Sequence, residues 1–133
     1  MSGDLPTYYF RIRDNGAAVF LVDTENRQRR IELDQIAVVN LNRGEIKPQG
    51  GRELTEQDKL EINRWMVERK ALLALRDIDD IQRAIDHMNT TTQWVQSKAS
   101  PEQLEEVTDS LLLAMHDLRT VLVRKKADRL MKG

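Results

Sequence analysis

"KPQGGRE", residues 47–53, decides how the chain is read. A proline and two glycines here separate a half rich in valine, isoleucine and tyrosine from a half rich in leucine, glutamate and arginine. Towards the N-terminus the pattern repeats every two residues: Tyr8, Phe10 and Ile12 alternate with Tyr9, Arg11 and Arg13. The Asn15-Gly16 pair supplies the positive φ angles of a tight hairpin before "AAVFLV", residues 17–22. "DTENRQ" (23–28) reads as the next reversal, and "RRIEL" (29–33) as a third strand with Ile31 and Leu33 inward. "IAVVNL" (36–41) and a short segment around Ile46, separated by "NRGE", complete the set. An antiparallel meander of four or five strands is expected over residues 1–50, with one face that the second half must cover.

Towards the C-terminus, no glycine occurs between Arg52 and Lys132, and Pro101 is the one proline. Such a stretch favours long helix on either side of that proline. The first helix is expected from an N-cap at Thr55 to about residue 97. The second starts more sharply, with Ser100 as N-cap, Pro101 at the first helical position and Gln103 closing a capping box, and runs to about residue 130. Val67, Ala71, Ala74, Ile78, Ile81, Ile85, Met88, Thr92 and Val95 recur at alternating steps of four and three. Leu104, Val107, Leu111, Ala114, Leu118 and Val121 do the same in the second helix. That spacing keeps one narrow stripe facing a partner helix, and the short connection makes the two stripes meet in an antiparallel, coiled-coil-like hairpin over residues 51–133. The expected fold class is α+β: a β-meander packed on the base of a helical hairpin, forming one cooperative domain.

Within the first helix, "DIDDIQRAIDHMN" (77–89) gathers acidic residues and a histidine. Asp79, Asp80, Asp86 and His87 fall away from the apolar stripe, and Arg76 and Arg83 stand at ion-pair spacing from Asp80 and Asp79. A solvated helix face is the direct reading. A chemical alternative exists, because Asp77 with Asp80 and Glu106 with Asp109 form two acidic pairs at i and i+3 that could share a divalent ion. This arrangement resembles the E-x-x-E and E-x-x-D pairs of the all-α nucleotide pyrophosphohydrolases. The resemblance implies magnesium and water attack on a polyphosphate. This chain departs from that pattern in having aspartates in its first pair and a sheet, and it is not placed in the family. His87 and His116 sit next to Asp86 and Asp117 without the i, i+4 spacing of a helical metal site. No glycine-rich phosphate loop or nucleophile motif occurs, and no cofactor is expected.

Composition narrows the function classes further. In 133 residues there is no cysteine, which removes thiolate chemistry, disulfides and zinc-thiolate sites. A net charge of −1 gives no global attraction to nucleic acid or to an anionic membrane. No apolar run reaches the ~20 residues of a membrane span, and the first ten residues lack an export signal, so a cytoplasmic protein is expected. A local basic segment, Arg124, Lys125, Lys126 and Arg129, could contact phosphates, but no aromatic residue accompanies it. The leading expectation is a non-catalytic interaction or assembly subunit, an adaptor or structural part. Surplus apolar residues outside the stripes, represented by Trp65, Leu72, Leu113 and Val123, are expected to form a surface for a second copy of the chain or another protein, most simply as a homodimer.

Overall fold

The computed structural model describes residues 5–24 and 30–132. Four strands, β1 (Tyr8–Arg13), β2 (Gly16–Asp23), β3 (Glu32–Asn40) and β4 (Glu45–Pro48), are followed by two helices, α1 (Glu56–Ser97) and α2 (Pro101–Lys132). The sheet is an antiparallel meander in the order β1-β2-β3-β4, so the α+β class read from the sequence holds. Two compact units are present, one ending at Ile78 and the other beginning at Asp79, and the division falls inside α1.

Details of the sheet differ from expectation in three places. The first hairpin turns on Asp14-Asn15, with Arg13 facing Gly16 as the first pair of the ladder. Gly16 is therefore already in β2, and its glycine identity has another cause. A Cβ there would lie 1.9 Å from the Val39 carbonyl oxygen, so only a residue without a side chain lets the two strands approach. Positive φ is instead found at Gly44, which closes the β3–β4 turn with φ 66°, and at Gly50. Secondly, the stretches read as third and fourth strands are one strand, β3. Asp34 and Gln35, which fell between those two stretches, pair in register with Leu21 and Phe20. Their side chains are occupied: Asp34 holds Arg52 at 2.7 Å, and Gln35 donates to Gln49 at 3.0 Å. A bulge between Val19 and Phe20 leaves Ile36 as the extra residue of β3. Thirdly, Ile31 and Leu33 are exposed and not inward. Most of the reversal assigned to residues 23–28 lies outside the described residues.

One face of the sheet carries the core. Ala17, Val19, Ile36, Ala37 and Val39 are buried together with Ile62 and Met66 of α1, and Tyr8, Phe10, Leu54, Trp65 and Leu73 pack around them. Ile62 and Met66 are four residues apart, so one side of the first turns of α1 rests on the strands. On the opposite face the Arg11 guanidinium lies 4.5 Å from the Phe20 ring centroid, covering an aromatic side chain with a cation.

In the second unit, α2 begins as expected. Ser100 Oγ accepts from the Gln103 N–H at 3.1 Å, and Gln103 Oε1 accepts from the Ser100 N–H at 2.9 Å. Of the stripes expected to form a sealed seam, only Leu104 and Val107, beside the turn, are half-buried, together with Trp94, which lies outside the expected stripe. Farther along, Ile81 is 56% and Leu118 is 53% exposed. No residue of α2 is buried. Leu112, Leu113, Val123, Leu130 and Met131 are exposed.

Stability is accordingly expected to rest on the first unit. Ile62→Ala should cost about 2–5 kcal/mol, the range for deleting a fully buried aliphatic side chain, while Ile81→Ala should cost under about 1 kcal/mol. Urea denaturation followed by circular dichroism checks both, and equal losses would contradict this placement of the core.

Candidate functional site

The polar centre of the first unit lies at the start of α1. Thr55 is its N-cap, as expected: Thr55 Oγ1 accepts from the Asp58 N–H, and Asp58 Oδ2 accepts from the Thr55 N–H, both at 3.0 Å. The Asp58 side chain is buried, and its other oxygen accepts from the Tyr8 hydroxyl at 2.6 Å. A groove of about 630 Å³ runs beside this cluster, between Pro6, Tyr8 and Phe10 on one side and Glu61, Arg64 and Trp65 on the other. Burial, reinforced by the hydrogen bond to Asp58 and by the Asp58 and Glu61 charges, pushes the Tyr8 phenol up to about 12. Burial works against ionisation of Asp58 too, but the bonds from Tyr8 and Thr55 and the nearby Arg52 outweigh it and hold this carboxyl below its ordinary value of 3.8. Arg64 is engaged by Glu61. Tyr8 therefore keeps its proton and Asp58 its charge at neutral pH, an arrangement suited to fastening the helix to β1 and not to moving protons. The sequence contained a signal for part of this: Thr55 and Asp58 have capping-box spacing, but nothing local pointed to Tyr8, fifty residues away.

The residues singled out from the sequence are distributed as follows. Asp79 and Asp80 both bind Arg83, so the expected Arg83 partner is confirmed, while Asp80 takes Arg83 in place of Arg76. Among the described residues, no group of three or more histidine, aspartate or glutamate side chains could hold a metal ion, so Asp77, Asp80, Glu106 and Asp109 are not assembled into such a site. His116 contacts its neighbour Asp117 at 3.3 Å. His87 was assigned to a polar surface, yet it borders an apolar groove of about 380 Å³ whose walls include Met88, Val95, Leu111 and Met115. Arg124, Lys125, Lys126 and Arg129 are exposed on α2.

The expected interaction surface requires one correction. Trp65 is stacked on Phe10, with ring centroids 4.7 Å apart and planes within 1°, and belongs to the packing around the core. Leu72, Leu113 and Val123 are exposed. Leu112, Met115 and Leu122, also exposed on α2, extend the apolar surface of this helix over a broader arc than the sequence reading gave it. This helical surface, and not a pocket with convergent polar groups, is the candidate site. In comparisons with protein-family models, curated proteins and solved structures, no match to this chain is found. Among the described residues, no helix is long and apolar enough to cross a membrane.

The Tyr8–Asp58 contact fixes a pH dependence. A phenol raised from 10.0 to about 12 stabilises the fold fully below pH 10, and the contribution is lost as pH rises through 12. For Asp58 the sense is opposite: its contribution is present above 3.8 and is lost as pH falls through its lowered value. Urea midpoints measured against pH should show the alkaline loss in the parent chain and not in Tyr8→Phe. An unchanged profile in the variant would mean that another group carries it.

If the four acids of the two pairs do not share an ion, millimolar magnesium or manganese should leave the melting temperature where EDTA leaves it, since a ligand specific for the native state raises it by mass action. A metal-dependent rise abolished by Asp77→Ala or Glu106→Ala would restore the hydrolase reading.

Proposed function

We propose that the chain is a non-catalytic assembly subunit in which the helical unit self-associates and the sheet unit is carried with it. The observation that carries this reading is the state of α2, thirty-two residues long with no buried residue. An isolated helix draws most of its stability from burying an amphipathic face, and soluble monomers rarely expose an apolar patch above a few hundred Å². Leu112, Leu113, Leu122 and Val123 are each more than half exposed among the described residues and call for a covering. A second copy supplies it at the lowest cost in added parts, since a two-fold pair uses one surface twice.

A binding role and not catalysis is supported by the raised Tyr8 pKa and by the engagement of Asp79 and Asp80 with Arg83. A cytoplasmic setting suits a chain with no cysteine, which has no use for an oxidising compartment.

Light scattering behind size exclusion at micromolar concentration tests the proposal. A mass of at least twice the 15.4 kDa of one chain is expected. Leu112→Asp should return it to the single-chain value while leaving the sheet folded. A parent chain that stays at one mass unit across concentrations would overturn self-association.

A further inference from the structure

On α2, Glu105, Leu112, His116, Arg119, Val123 and Lys126 follow one another at steps of three, four or seven residues, so they lie along one side of the helix. Leu111, Leu118 and Val121 belong to the other stripe, the one expected to face α1. The two apolar members of the first set, Leu112 and Val123, are 58% and 56% exposed. The stripe is acidic at its start and basic at its end, with Leu112 and Val123 flanking His116 and Arg119 between them.

The helix macrodipole accounts for part of that gradient, but only at the termini. Its influence falls off within the first and last turns, which here contain Glu102 at one end and Arg129 and Lys132 at the other. Glu105, Glu106 and Asp109, and likewise Arg124, Lys125 and Lys126, lie farther in and require another cause. Charge complementarity between two copies supplies one. Parallel α2 helices would set acid against acid and base against base, whereas antiparallel helices set each acidic segment against a basic one.

We infer that α2 pairs with the α2 of a second copy in antiparallel fashion about a two-fold axis near Met115 and His116, with Glu105 opposite Lys126. This inference rests on the self-association proposed above and adds its orientation and register. With that axis, Leu112 lies opposite the partner's Arg119, whose aliphatic stem covers it. One turn from Leu112 on the same helix, Asp109 meets the charge of the partner's Arg119. Thr108 lies opposite the partner's Val123. Each contact occurs twice, and the paired stretch from residue 105 to 126 spans about 32 Å at the helical rise per residue.

The absence of native cysteine makes the test direct. His116→Cys, at the axis, should form a disulfide-linked dimer under mild oxidation, since each thiol meets its own symmetry mate. Glu105→Cys should not link to itself, because its mate lies at the far end of the pair, but it should link when mixed with Lys126→Cys. Circular dichroism confirms that the variants fold, and light scattering on the reduced proteins reports association separately. A chain that associates but whose His116→Cys form does not cross-link, or whose Glu105→Cys form links to itself, overturns the antiparallel pairing and leaves self-association standing. A chain of single mass overturns both.

Discussion

The fastening of α1 to the sheet is the constraint from which the rest of the structure follows. Asp58 closes the N-terminus of α1 through Thr55 and accepts the Tyr8 hydroxyl with its remaining oxygen, so one carboxylate both starts the helix and ties it to β1. One turn farther on, Ile62 is fully buried against the strands, and Met66 follows it. A carboxylate buried in this way is tolerable only because its charge is met by hydrogen bonds, and those bonds in turn fix where the helix begins. Once its start and direction are set, the helix runs beyond the last residue that packs around the core, Leu73, into a second unit that has no sheet of its own.

That continuation explains why apolar surface is left over. A four-stranded sheet with β4 only four residues long offers a small face, and α1 takes it. The second unit is built from two helices alone among the described residues. A pair of helices can close one stripe, and here the closure is confined to the neighbourhood of the turn, where Trp94, Leu104 and Val107 are half-buried. The three consecutive leucines Leu111, Leu112 and Leu113 point across more than half of the circumference of α2, a distribution that a single neighbouring helix cannot cover. It is this uncovered arc that the proposed self-association would use.

The elements were legible in the sequence because each has a local cause. Period two marked β1, the Asn15-Gly16 pair marked the hairpin into β2, the Ser100, Pro101 and Gln103 cap marked the start of α2, and the absence of glycine marked both helices. What could not be read was which surface covers which. The step of three and four residues at Ile78, Ile81 and Ile85 looks the same whether the stripe meets a helix of its own chain or of another. Gly16 shows the same limitation at shorter range. Its neighbour Asn15 suggested a turn glycine, while the real requirement, room for the Val39 carbonyl, comes from a strand more than twenty residues away. Asp34 and Gln35 appeared to interrupt a strand because their partners, Arg52 and Gln49, are supplied by a later part of the chain.

The acidic cluster at residues 77–80 finds its role in the same mechanics. It lies where α1 leaves the residues packed on the sheet, at the division between Ile78 and Asp79. Upstream, the helix is held by burial of Ile62, Met66 and Leu73; from here on, its apolar side chains are largely exposed. Arg83 binds Asp79 at i, i+4 and Asp80 at i, i+3. Such pairs support a helix by only a few tenths of a kcal/mol each, but they act locally and need no tertiary partner. Local support therefore stands where tertiary support ends, and Asp80, one of the four acids that invited a metal-site reading, serves with Asp79 as a staple for the helix on its way into the second unit.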